Sequence, residues 1–88
     1  MSNNLSTEVV GGELCDFLKD TLRQPVEVGD DIFALGMANS MFALELIVYI
    51  ESRYGLTLEG EDLTRDNFRS AQAMAELVVK RAAAVGSQ

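Results

Sequence analysis

GMANSMFALELI, residues 36–47, changes character at its centre. A glycine-led approach ends at Asn39-Ser40, and from Met41 onward the residues favour an apolar helix. A serine at that junction has two readings. Its hydroxyl can accept a backbone N–H as the cap of the new helix. It can also stand exposed at the positive end of the helix dipole, where a phosphate ester on its oxygen is stabilised and something can be attached. The residues alone leave both open.

Working outward, the second helix is expected from near Ser40 to about Tyr54, since Met41, Leu44, Ile47, Val48 and Glu51 trace one side and Gly55 supplies a stop. Upstream, Gln24 to Asn39 reads as a long connection with Gly29 and Gly36 and three buried-looking residues, Ile32, Phe33 and Leu35. A loop of about fifteen residues in a small domain tends to be functional. Its apolar residues predict that it lies across the core. Before it, Val10, Leu14, Phe17, Leu18 and Leu22 recur at helical spacing from about Thr7, and the helix is expected to end before Pro25. Downstream, Leu56 and Leu58 predict core contacts in an extended link. A turn and short third helix follow over residues 61–68, with Leu63 and Phe68 inward. Ser70 is a suitable N-cap for a last helix through about Ala84, whose Ala73, Met74, Leu77, Val78 and Arg81 repeat at helical spacing. No segment alternates with period two. The expected architecture is all-α: a small four-helix bundle with a long first loop and a short third helix, one domain over residues 7–84, with residues 1–6 and 85–88 frayed.

Length and composition agree with a single small core, because 88 residues that are 48% hydrophobic suffice for one domain and not for two. No apolar run approaches the ~20 residues of a membrane span. The start lacks the basic and apolar regions of a signal or transit peptide, so the expected compartment is the cytoplasm. Seven basic against fourteen acidic residues give a net charge of −7, which disfavours nucleic acid and anionic lipid as partners and favours a monomer. Partners with basic patches suit it better. With no histidine, Ser-His, Cys-His and His-metal chemistry are excluded, and the single Cys15 forms no intramolecular disulfide.

Any catalysis would rest on carboxylates. The densest clusters, Asp30-Asp31 and Glu59-x-Glu61-Asp62, lack the ligand spacing of a calcium loop and read as solvated loop charge. Gly11-Gly12 and Gly36 stand without the lysine of a phosphate cradle. An enzyme has almost nothing to stand on here.

The stretch DIFALGMANSMFALEL (residues 31–46), followed by Ile50-Glu51 and Tyr54-Gly55, resembles the acyl and peptidyl carrier protein family, whose signature is Gly-x-Asp-Ser-Leu at the opening of the second of four helices. The likeness runs from about Glu8 to Lys80. It implies that Ser40 carries 4′-phosphopantetheine, transferred from coenzyme A by a phosphopantetheinyl transferase, and that the arm's thiol holds substrates as thioesters. It also implies partners that load and process acyl groups, of acyltransferase, ketosynthase or adenylation type. By the same resemblance Asn39, Met41, Glu45, Glu51 and Arg65 face partners, framed by Met37 and Ala38. Phe42 is weighed evenly between a partner-facing aromatic anchor and packing against Leu46.

The chain departs from the signature at several places. Gly36 lies one residue further from the serine, Asn39 replaces the aspartate, Met41 replaces the leucine, and Phe42 stands where a polar residue is common. In its Asn-Ser-Met-Phe pattern the chain is similar to small discrete carriers of specialised polyketide or hybrid pathways, including those holding glyceryl-derived or methoxymalonyl units. It is also similar to D-alanyl carriers of cell-wall modification. A non-carrying helical adaptor, in which Ser40 is only a cap, is the alternative from another class.

Overall fold

Four helices form where the caps and apolar spacing place them. The computed structural model describes residues 6–86 of the chain, with side chains through residue 83. Helix α1 spans Thr7–Leu22, α2 Ser40–Tyr54, α3 Arg65–Phe68 and α4 Ala71–Gly86, with one 3₁₀ turn at Gly60–Asp62 before α3. No strand occurs among the described residues, so the all-α bundle with a long first loop is the observed architecture. The fraying expected at Met1–Leu5 and at Ser87-Gln88 lies outside the described residues.

Each helix end has an identifiable cause. Ser6, expected to fray, instead caps α1 by accepting the Val9 N–H at 3.2 Å. Arg23 closes α1 in the left-handed region (φ 57°), and its N–H returns to the Lys19 carbonyl. Gly55 closes α2 in the same region with φ 67°, where a glycine bears no Cβ penalty. Ser70 is the expected cap of α4: its buried hydroxyl accepts the Ala73 N–H at 3.0 Å. The last helix continues to Gly86 rather than ending near Ala84.

One apolar core joins all four helices. Val10, Leu14 and Leu18 of α1 meet Met74, Ala75 and Val78 of α4, with Phe68 of α3 and Leu56 and Leu58 of the link closing the cluster. A Cβ on Gly11 would lie 3.2 Å from a Val28 methyl and 3.7 Å from the Ala75 methyl. That glycine, which carried no meaning as a phosphate loop, lets α1 approach its neighbours closely.

The first loop does lie across the core. The Ile32 N–H donates to the Arg69 carbonyl at 2.7 Å and the Gln72 N–H to the Val28 carbonyl at 2.8 Å, which ties the loop to the α3–α4 corner. Ile32 and Val26 are buried. Leu35, expected inside, is exposed. The Asp31 carboxylate accepts the Phe33 and Ala34 N–H groups and its carbonyl accepts the Leu35 N–H, so a tight turn sends Ile32 inward and leaves Leu35 on the outer side. Leu63, also expected inside, is exposed at the end of the 3₁₀ turn, and Phe68 alone enters the core from this segment.

The acidic clusters are not simply solvated charge. Asp30 accepts the Glu27 N–H at 2.9 Å. Asp62 is only 5% exposed; it accepts the Glu59 N–H at 2.9 Å and the Arg81 Nε–H at 2.8 Å. The Arg81 guanidinium, aided by the Glu59 backbone bond and opposed by burial, holds the Asp62 carboxyl below the usual carboxylate range. This clasp fastens the turn before α3 onto α4.

Two outcomes are expected. Because the folded pKa of Asp62 is depressed, its contribution is present above the unfolded carboxylate pKa and is lost as pH falls through the folded value. Denaturant titrations from neutral to acid pH will therefore show Asp62→Asn less stable at pH 7 and with a shallower acid limb. For the core, Leu46 is fully buried whereas Leu44 is exposed. Leu46→Ala should cost about 2–5 kcal/mol and Leu44→Ala under about 0.5 kcal/mol in urea unfolding.

Candidate functional site

The candidate site is the first turn of α2, and the roll of that helix decides what it presents. Phe42, Leu46 and Ile50 enter the core. Phe42 is only 8% exposed, and its ring stacks with Phe17 of α1 at 6.4 Å between centroids. Phe17 in turn stacks on Tyr49 at 4.0 Å. The aromatic-anchor reading of Phe42 is thereby corrected: its ring serves the α1–α2 contact. Ser40 and Phe42 are two positions apart, about 200° round the helix. Burying Phe42 turns Ser40 outward.

Asn39, not Ser40, is the cap. Its extended backbone sets the chain at the helix entrance, and its side-chain oxygen accepts the Phe42 N–H at 3.1 Å. An aspartate would make the same bond with a full negative charge. The asparagine keeps the cap and removes the charge, so the first turn of α2 contains no acidic residue. Ser40 is therefore exposed at the first helical position, with its hydroxyl released from capping.

Upstream, Gly36 takes φ 75°, and the Met37 and Ala38 N–H groups both donate to the Ile32 carbonyl at 2.8 and 3.1 Å. These bonds anchor the approach to Asn39 on a residue that is itself buried. Downstream, Glu13 of α1 clamps the far end of α2, accepting from the Tyr54 hydroxyl at 2.8 Å and the Arg53 guanidinium at 3.2 Å. Burial, then the bond and charge of Glu13, raise the Tyr54 pKa far above its ordinary value.

The other residues expected to face partners divide. Met41 and Glu45 are exposed on α2. Arg65 is exposed on α3, its guanidinium 5.6 Å from the Phe33 ring centre. Glu51 is half-buried on the same helix and accepts the Leu58 N–H at 2.9 Å, which organises the link after α2. Leu44 and Val48, which sequence reasoning took as part of an apolar side without assigning them a role, are exposed beside Met41. Their signal was present in the sequence, but α2 is apolar on both sides and periodicity alone does not rank them.

Among the described residues, no group of three or more His, Cys, Asp or Glu side chains could hold a metal ion. No helix among them is long and apolar enough to cross a membrane.

A model of the phosphopantetheine attachment site family matches residues 10–78, from the first helix into the last. The chain belongs to that family, a carrier domain whose members bear covalently attached 4′-phosphopantetheine. No curated protein matches it. The exposed start of α2 fits the prosthetic group, since a hydroxyl outside the core and free of the cap bond is chemically suited to a phosphodiester.

The division of labour between neighbours is measurable. Asn39→Ala is expected to cost about 1 kcal/mol in chemical denaturation through loss of the cap, and Ser40→Ala to stay within about 0.5 kcal/mol. Equal costs would mean that Ser40 shares the capping role.

Proposed function

We propose that Ser40 is the residue that bears the phosphopantetheine arm and that the chain presents thioester-bound acyl or aminoacyl groups to biosynthetic enzymes. The observation that carries this reading is the pairing at the head of α2, where Asn39 makes the cap bond and Ser40 stands exposed one residue later. In the attachment step the Ser40 Oγ bonds to the β-phosphorus of coenzyme A, and the pyrophosphate P–O bond breaks. Adenosine 3′,5′-bisphosphate leaves, and the hydroxyl proton passes to a base of the transferase. The positive end of α2 stabilises the resulting phosphodiester, and no first-turn carboxylate opposes it.

The carrier does no chemistry of its own. A long flexible arm raises the effective concentration of the acyl group at each partner's active site, and the folded domain supplies recognition. The sequence pattern Asn39-Ser40-Met41-Phe42 supports service in a specialised polyketide or hybrid pathway in the cytoplasm, with a glyceryl-derived or methoxymalonyl unit as cargo and acyltransferase, ketosynthase or adenylation enzymes as partners.

Incubation of the native chain with coenzyme A, magnesium and a broad-specificity phosphopantetheinyl transferase is expected to add one phosphopantetheine by intact mass. Ser40→Ala is expected to add none. An adduct on the folded Ser40→Ala variant would move the attachment elsewhere.

A further inference from the structure

A groove runs between α1 and α2 on the flank away from Ser40. Its lining is Glu13, Asp16, Phe17 and Asp20 of α1 with Tyr49 and Arg53 of α2. The Phe17 and Tyr49 rings are stacked 4.0 Å apart and 16° from parallel, and both are half-buried. They give the groove an aromatic floor. The helices run antiparallel here, since Glu13 meets Arg53 while Phe17 meets Tyr49 and Phe42. Tyr49 lies about half a turn round α2 from Ser40 and about 13 Å further along it. A molecule seated in the groove leaves Ser40 and Met41 uncovered.

Charge is uneven along the rim. Arg53 is already committed: its guanidinium donates to Glu13 at 3.2 Å and lies 5.5 Å from the centre of the Tyr54 ring. That pair closes the end of the groove away from Ser40. Asp16 pairs with Lys19 at 3.5 Å across two exposed side chains, an i,i+3 contact of little strength. Asp20 is exposed and enters no ion pair among the described residues. The open end therefore sets two carboxylates beside an aromatic surface. Arginine suits that combination better than lysine, because its weakly hydrated guanidinium packs on aromatic surface while its N–H groups donate to carboxylates. Spacing narrows the choice further. Asp16 and Asp20 are i,i+4 neighbours, with Cβ atoms about 6 Å apart. Alternate side chains of an extended segment leave on one side about 6.7 Å apart.

We infer that the groove between α1 and α2 receives an extended segment of a partner protein that carries arginines at alternate positions, Arg-x-Arg, whether or not Ser40 is modified. Each guanidinium donates to one of the two carboxylates, and the arginine stems cover the Phe17 and Tyr49 rings. The residue between them points to solvent. The chain's net charge of −7 draws a cationic segment in from a distance, and the paired carboxylates with their aromatic floor fix its place. Held there, the partner leaves the outer face of α2 open, so two proteins can engage the chain at once.

The test is a titration of the intact, isotope-labelled chain with blocked peptides at low salt, followed through its backbone amide signals. The probe is acetyl-Gly-Arg-Ser-Arg-Gly-amide. One control peptide carries lysines in place of both arginines; the other, acetyl-Gly-Arg-Arg-Ser-Gly-amide, sets the arginines side by side. The probe is expected to give saturable shifts centred on residues 13–20 and 49–53, with a Kd at least about threefold below that of either control. Asp16→Asn/Asp20→Asn should raise that Kd about tenfold. Leu44→Gln, on the outer face of α2, should leave it unchanged. All three positions are exposed, and matched urea midpoints establish that the variants fold. Equal binding of either control peptide overturns the inference, as does undiminished binding by the double variant. So do shifts that fail to saturate or that centre on Met41, Leu44 and Val48. The titration uses the unmodified chain, so its failure is separate from any failure of Ser40 to take an adduct.

Discussion

Burial of the Phe42, Leu46 and Ile50 stripe sets the roll of α2, and through it the orientation of nearly everything functional in the chain. A helix has one rotational degree of freedom about its axis, and the side that enters the core removes it. Phe42 is held by its stack with Phe17, which also stacks on Tyr49; this aromatic series makes the choice of side cooperative between α1 and α2. Once it is made, Ser40 must face solvent, and Met41, Leu44 and Val48 must share an exposed flank.

The rest of the molecule holds that arrangement in place with short polar devices. The first loop is fastened to the α3–α4 corner through two backbone bonds, and Asp31 shapes the turn that brings the chain to Gly36. Asp62 joins the turn before α3 to Arg81, and Glu51 gathers the link after α2. Acid groups that composition assigns to solvent are therefore structural. An acidic surface remains, and on α2 itself Glu45 is exposed while Glu51 accepts the Leu58 N–H.

For a carrier this distribution has a functional logic. The arm and its thioester enter partner active sites, so the domain needs only a rigid origin for the arm and a face that partners recognise. On the proposed attachment at Ser40, the Asn39 cap supplies the first, since it fixes the chain's entry into α2 immediately before that serine.

Much of this was written in the sequence. Helical spacing and end signals, Ser70 and Gly55 among them, located the helices, and the Asn39-Ser40 junction with its flanking pattern singled out the serine. Those are local properties: a cap, a stop and a 3.6-residue period are expressed within a few residues of chain. The assignment of sides was not local. In α2 both Met41-Leu44-Val48 and Phe42-Leu46-Ile50 satisfy helical periodicity, so the stripe that enters the core depends on Phe17, which lies 25 residues upstream of Phe42 on α1. The same holds for Asp62, whose cationic partner stands 19 residues away on α4, and for Glu51, bonded to a backbone group 7 residues beyond it. Short-range pattern decided where the helices begin and end. Only packing between distant segments decided which of two apolar sides is buried and which charges are free, because that choice minimises exposed area and unpaired polar groups over the whole chain.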